Sequence, residues 1–360
     1  MKKLLITIAV LAAVITPAIS KEKTVAQLNP EFESRITAAL KPKIGGPRPM
    51  ALFYFSDIHG DQGELARLAK FYNDNEKYFS GAVCVGDIVE RHFESDFSFW
   101  GKTEHHEKIM LVIGNHDGIT AADPIDWDNP MPMADCYNRY FAPHIKGWGV
   151  EYEEGKTYYY KDYTENRVRL IVVDCMLRSG VNGEAEKEQL KWFKNLLTDA
   201  RKKGLSVIVA RHFALTDKDR GPENAMVTID CNFMERGRVI DGPYKEVLAY
   251  MDAVDEFKKA GGDFVCWFCG HTHCDYMTYS LRCPDQLCIG ISNATRFQGG
   301  GNAIDRTIGT RNEDLADALV IDTARGVLKR IRIGANVDTF MTSRNCIGFD
   351  YRNMKVLNEF

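Results

Sequence analysis

Five short segments of the chain concentrate side chains that bind metals or move protons: Asp57-Ile58-His59, Gly86-Asp87, Gly114-Asn115-His116-Asp117, Arg211-His212 and Gly270-His271-Thr272-His273. Taken singly, Asp-x-His or Gly-Asp says little, because an aspartate after a strand often only caps the next helix. Gly-Asn-His-Asp says more, since it crowds an amide, an imidazole and a carboxylate into one turn that offers nothing to a packed core. Together, Asp57, His59, Asp87, Asn115, His212, His271 and His273 supply two carboxylates, one amide and four imidazoles, with no need for thiolates. Such a nitrogen and oxygen set suits zinc, manganese or iron better than calcium. These side chains exceed the needs of one tetrahedral ion and fit two divalent ions if one carboxylate bridges them. Two such ions, two aspartates and a bridging hydroxide leave a formal charge of about +1, which attracts a phosphate oxyanion, and the hydroxide is a nucleophile at neutral pH.

The segments can converge only if the chain places them on one edge, and the surrounding pattern predicts that. Apolar runs at Leu52–Ser56, Ala82–Val85, Ile109–Ile113, Leu205–Ala210 and Phe264–Phe268 read as buried strands, and each leads directly into one of the five segments. Between them lie helical patterns, with Leu65, Leu68, Ala69 and Tyr72 on one face of 62–78 and Leu190, Phe193, Leu196 and Leu197 on one face of 184–199. Strand, helix, strand is the signature of an α/β fold, in which ligands gather at the carboxyl ends of strands. Further strands are expected at Val168–Val173, Gln286–Ile291, Ala318–Asp322 and Val327–Ile333. Two segments, 118–160 and 216–244, are rich in Pro, Gly, Asp and aromatics and read as long loops, the usual seat of specificity.

In order and composition the five segments resemble the signature of the calcineurin-like metallophosphoesterase superfamily, with every signature position present between about Ala51 and Gly334. The resemblance implies an α/β four-layer sandwich of two facing mixed β-sheets flanked by helices, of the exported bacterial single-domain kind. It implies hydrolysis of phosphomono- or phosphodiesters through a metal-bridging hydroxide. One divalent ion (Mn, Zn or Fe) would be held by Asp57, His59, Asp87 and His273, and the second by Asp87, Asn115, His212 and His271. His116 would donate the proton to the leaving oxygen. Asp117 would orient the His116 ring and support its charge, or else cap the turn that follows. Arg91 stands four residues after Asp87, where phosphoprotein phosphatases carry a phosphate-binding arginine. Those enzymes have a second arginine before the Gly-Asn-His turn, where this chain has Val112-Ile113, so Arg91 reads either as a phosphate ligand or as a surface ion pair. Glu90 occupies the position of the tyrosine ligand of purple acid phosphatases, so a ferric-tyrosinate site is not expected.

Composition bounds the rest. The chain has 360 residues, 45% apolar and 27% charged, with 46 Lys and Arg against 50 Asp and Glu. It is ordinary globular composition, and the absence of any basic run argues against a nucleic-acid patch. Residues 1–20 read as a signal peptide: Lys2 and Lys3, then an apolar stretch, then Ala18-Ile19-Ser20 as a cleavage site. The mature protein is therefore expected in the periplasm or outside the cell, without a membrane span, acting on a phosphorylated small molecule, protein or lipid headgroup. Residues 21–49 read as an arm with a short helix opened by Asn29 and Pro30, 50–335 as the phosphoesterase domain and 336–360 as a C-terminal extension. Of the ten cysteines, Cys84, Cys175, Cys266 and Cys269 read as small buried hydrophobes, while Cys283 and Cys288, on either side of Pro284-Asp285, are placed for a local disulfide. Tyr137, Tyr140, Phe141 and Trp148 read as core rather than as a stacking platform. Two readings compete with the enzyme: a binding module that keeps the fold without catalysis, and a thiol redox protein built on Cys266-x-x-Cys269.

Overall fold

A computed structural model describes residues 29–90, 106–118, 131–175, 183–213, 226–228, 244–271, 273, 275–280, 283–291, 294, 309–310, 312–335 and 346–357. The expected signal peptide, Arg91 and most of the 216–244 loop lie outside the described residues.

The apolar run at β1 (Met50–Phe55) is buried along its whole length and pairs in parallel with β2 (Gly81–Cys84), which pairs in parallel with β3 (Ile109–Leu111). Parallel pairing requires a crossover, and α2 (Gln62–Asp74) makes the first one. Its N-terminus is capped by Asp61, whose side chain accepts from the Glu64 N–H. It stops at Asn75, whose side-chain amide donates to the Phe71 carbonyl, so the expected helix to Tyr78 breaks into a short turn. On the other side of β1, antiparallel strands β12 (Leu315–Asp322), β13 (Val327–Gly334), β14 (Cys346–Asp350) and β15 (Lys355–Leu357) complete a seven-stranded sheet. The segment expected to be a C-terminal extension thus adds two strands to this sheet, with β15 at its edge. The arm also packs onto the core: α1 (Asn29–Ala39) buries Phe32 against Phe71 and Phe79.

The second sheet has eight strands in the order β4 (Glu151–Tyr152), β5 (Tyr159–Tyr163), β6 (Val168–Val172), β7 (Ser206–Ala210), β9 (Asp263–Cys269), β11 (Cys283–Gly290), β10 (Tyr276–Ser280) and β8 (Met226–Thr228). Its centre, β6, β7 and β9, is parallel and largely apolar, as strands covered on two sides are, with the buried Arg169 on β6 paired to Asp162 and Asp199. Outside it lie α4 (Gly183–Lys203) and α5 (Tyr244–Lys259), with Phe193 against Tyr250 and Trp267. The result is helix, sheet, sheet, helix, as the family resemblance implies. Across the sheet interface, Tyr54 stacks on Phe268 and the Tyr159 hydroxyl donates to the Leu111 carbonyl at 2.8 Å. Among the described residues, no helix is long and apolar enough to cross a membrane.

Two local expectations change. The segment 131–160 is not one long loop: it forms a short helix α3 (Met133–Cys136) running into a π-helical turn, and then the β4–β5 hairpin. Tyr137, Tyr140, Phe141 and Trp148 are buried in it, with Trp148 Nε1 donating to the Glu107 carbonyl at 2.8 Å. Cys283 and Cys288 do not flank a turn. Both lie in the continuous strand β11, where a rise of about 3.3 Å per residue holds them far beyond bonding distance. Cys288 instead stands 3.5 Å from Cys269 on the neighbouring strand, as a thiol.

Candidate metal centre

The loops after β1 and β2 run side by side. The Asp57 N–H donates to Gly86, the His59 N–H to Asp87 and the Gly60 N–H to Ile88, a ladder that brings both aspartates to one edge. Two glycines are required by close approach: a Cβ at 114 would stand 2.1 Å from Asp87 Oδ1, and one at 270 would stand 2.0 Å from Ser56 Oγ. Only a bare backbone lets the third and fifth segments close on the first two.

Two ligand groups result. In the first, His59 Nε2 and His273 Nε2 are 3.1 Å apart, and they stand 3.8 and 3.3 Å from Asp57 Oδ1. In the second, His212 Nε2 lies 3.1 Å from Asp87 Oδ2 and 2.9 Å from Asn115 Oδ1, with the His271 ring 5.1 Å from the His212 ring. Asp87 Oδ2 is also 3.9 Å from His59 Nε2, so one carboxylate oxygen faces both groups. Its other oxygen accepts the His116 N–H at 2.9 Å. The seven expected ligands are thus brought together.

The donor chemistry fits cations. His212 Nδ1 sits 2.7 Å from the Val85 carbonyl, which commits that nitrogen as the donor and leaves Nε2 facing two acceptor oxygens. Three acceptors around one point require a proton or a metal ion. Without metal, the proton is favoured: burial would lower the pKa of His212, but the Asp87 and Asp57 charges outweigh it and bring it to about 9. Burial likewise opposes protonation of His59, and Asp57 and Glu90 overcome it, raising its pKa to about 10. Both aspartates are held below the usual carboxylate range; burial opposes this, and the neighbouring histidines prevail. His271 goes the other way: burial and the His212 charge depress it to about 3, so it is a neutral imidazole ready to ligate. Backbone strain marks the same residues. Asp57, His59, Asp87, His271 and His273 have φ of 56°, 48°, 54°, 66° and 53°, in the left-handed region that side chains avoid. Such strain costs about 1–3 kcal/mol per residue and concentrates at functional sites.

The turn residues divide differently from expectation. The Asp117 carboxylate does not meet the His116 ring. It is buried and accepts four backbone N–H groups, from Asp87 at 2.8 Å, Ile88 at 2.9 Å, Val89 at 3.2 Å and Gly114 at 2.9 Å. Its position ties the second segment to the third, and burial with the adjacent Asp87 charge raises its pKa to about 6. The His116 ring is held by Glu90 instead, with Nδ1 2.7 Å from the Glu90 carbonyl oxygen. It stands edge-on to His59 at 4.7 Å and remains partly exposed. The Glu90 carboxylate is 2.7 Å from His59 Nδ1, so Glu90 belongs to the site, although the sequence marks it only as the absence of a tyrosine ligand. Its place in the turn three residues after Asp87 was the available signal.

The sequence matches the family model for calcineurin-like phosphoesterases over residues 50–275. In architecture the chain is similar to a dimetal phosphatase from Danio rerio, at 10% identity over 80% of this chain and 99% of that one, with a TM-score of 0.50. It is also similar to a purple acid phosphatase from yellow lupin (Lupinus luteus) seeds, at 13% identity over 81% of this chain and 52% of that one, with a TM-score of 0.47. No curated protein sequence matches the chain.

Proposed function

The chain belongs to the calcineurin-like phosphoesterase family and is a metal-dependent phosphoric ester hydrolase, and on that premise we propose an exported enzyme that cleaves phosphomono- or phosphodiesters at a two-ion centre. Asp57, His59, Asp87 and His273 would hold one ion, and Asp87, Asn115, His212 and His271 would hold the other. The observation that carries this reading is Asp87 Oδ2, which faces His59 and His212 at once. Mn, Zn or Fe suits the mixed imidazole and carboxylate donors. Two ions bound there would supply a water of lowered pKa and positive charge for the phosphoryl oxygens.

The chain's own residues do the rest. His116, with Nδ1 engaged by the Glu90 carbonyl, keeps Nε2 to hand a proton to the leaving oxygen. Asp117 keeps Asp87 and the Gly114 turn in register through its four N–H bonds. The Glu90 carboxylate steadies the His59 ring so that Nε2 faces the site. Arg91, the next residue in the sequence, is proposed to bind a substrate phosphate oxygen. Export rests on the Lys2-Lys3 and Ala18-Ile19-Ser20 pattern of the first twenty residues. The substrate is a phosphorylated small molecule, protein or lipid headgroup.

The test is hydrolysis of p-nitrophenyl phosphate and of its bis ester with Mn²⁺ or Zn²⁺, beside Asp87→Ala. Turnover that depends on metal and disappears in the variant is expected. Equal activity in both proteins rejects the two-ion reading.

A further inference from the structure

The loop that supplies His271 and His273 belongs to the eight-stranded sheet, leaving β9 at Cys269 and entering β10 at Tyr276. It is nevertheless gripped at both ends by the other sheet. At its start, the Tyr54 hydroxyl on β1 donates to the Cys269 carbonyl and lies 3.2 Å from the Cys269 nitrogen. At its end, Asp275 is buried against two arginines of β13: Oδ1 lies 2.6 Å from Arg330 Nη2 and 2.6 Å from Arg332 Nη2, and Oδ2 lies 2.9 Å from Arg332 Nη1. Alternate residues of a strand share a face, so Arg330 and Arg332 reach the sheet interface together. Asp317 on β12 fixes them from behind, 2.6 Å from Arg330 Nε and 2.7 Å from Arg332 Nε. All four side chains are buried, and their formal charges cancel.

Stability does not account for this cluster. Removing four charges from water is costly, and apolar residues of similar volume often serve a core as well or better. An apolar cluster cannot, however, fix direction, whereas a bidentate guanidinium and carboxylate pair can. Asp275 stands two residues after His273. Both histidines hold left-handed backbone, which persists only where the surroundings over-determine it. The His271 N–H, pointing at Asp57 Oδ2 at 3.1 Å, shows how closely the loop must be seated.

We infer that Asp275, Arg330 and Arg332 are positioning residues, a clamp between the sheets that seats His271 and His273 against Asp57 and Asp87. This rests on the two-ion reading above. It assigns a role in metal binding to residues on β13, a strand outside all five signature segments.

The test is Mn²⁺ binding by equilibrium dialysis to the full chain stripped of metal, with thermal unfolding measured beside it. The charge-balanced variant Asp275→Asn/Arg332→Met removes the clamp and leaves Arg330 paired with Asp317. Its expected Mn²⁺ affinity is about 10-fold weaker or more, with an unchanged far-UV circular dichroism spectrum. Arg169→Met is the comparison, because Arg169 is also buried and multiply bonded, to Asp162, Asp199 and the Leu196 carbonyl, but lies on β6 away from the ligand loops. It should lose thermal stability and keep its metal affinity. Wild-type Mn²⁺ affinity in the folded double variant overturns the inference. If that variant does not fold, Asp275→Glu, which keeps the charge and shifts the carboxylate by one methylene, is judged by the same criterion. A wild-type chain that binds no Mn²⁺ rejects the two-ion reading itself, so the two failures are distinct.

Discussion

The two ligand groups face the same carboxylate but are built differently. In the second group, His212 is fully buried and oriented by a backbone carbonyl, with Asn115 and Asp87 completing it from adjacent strand ends. In the first group, His59 Nδ1 has beside it the carboxylate of Glu90 at 2.7 Å, a charge contact to a side chain about a third exposed, and His273 is partly exposed, as His271 is in the second group. Backbone orientation cannot relax without moving a strand, whereas side-chain orientation can. The second group is therefore held mainly by backbone and the first by a side chain, although each pairs a buried aspartate and a buried histidine with one partly exposed histidine, His271 or His273. The residue proposed as proton donor, His116, stands against the first group.

Perturbations of this contrast are expected to fall in a definite order. Asp87→Ala strikes both groups and should lower kcat on the order of 10³-fold, since the ions it would hold would supply several kcal/mol of transition-state stabilisation; metal analysis should show both ions reduced. His116→Asn should leave metal content intact and lower turnover of an alkyl phosphate by about 10²–10⁴-fold, with less effect on p-nitrophenyl phosphate, whose leaving group needs no proton. Equal losses on both substrates would remove His116 from that role. Glu90→Gln should weaken metal binding by about 10- to 100-fold at the first group only. Titration with Mn²⁺ then resolves one tight and one weakened site, and loss at both would erase the contrast.

The smallest effect is on pH dependence. In the metal-free chain, His59 and His212 are raised from 6.5 to about 10 and about 9. A raised histidine contributes stability that is fully present below 6.5 and lost as pH rises through the folded value. The melting temperature of the metal-free protein should therefore fall between pH 7 and pH 10, and bound metal should remove that decline by replacing the protons. At pH 8, metal uptake should release one proton from each of these histidines, measurable in a pH-stat. His271, already neutral, releases none.

Much of this was legible before the structure. Strand ends at Asp57, Asp87, Asn115, His212 and His271 follow from apolar runs of buried length, and a shared edge follows from parallel topology. What stayed hidden has a common cause. Glu90, and not Asp117, lies against the His116 ring because turn residues point in directions set by φ and ψ, which residue type does not reveal. Cys283 and Cys288 read as a turn pair because Pro284-Asp285 resembles a turn, yet β10 and β9 on either side draw the segment into one strand. β14 and β15 lie in the stretch read as an extension, since both are short and β15, at the sheet's edge, buries little.

The sequence by itself determined which chemistry this protein can perform: the seven donor side chains, the glycines that let their loops close, and the absence of any need for thiolate. Those are properties of residue type and local spacing. Only the tertiary structure decided how the donors divide into two groups around Asp87, which neighbour lies against each ring, and that Arg330 and Arg332 grip Asp275 beside the ligand loop. Those depend on contacts between residues far apart in the chain, and they form only when the two sheets have packed face to face.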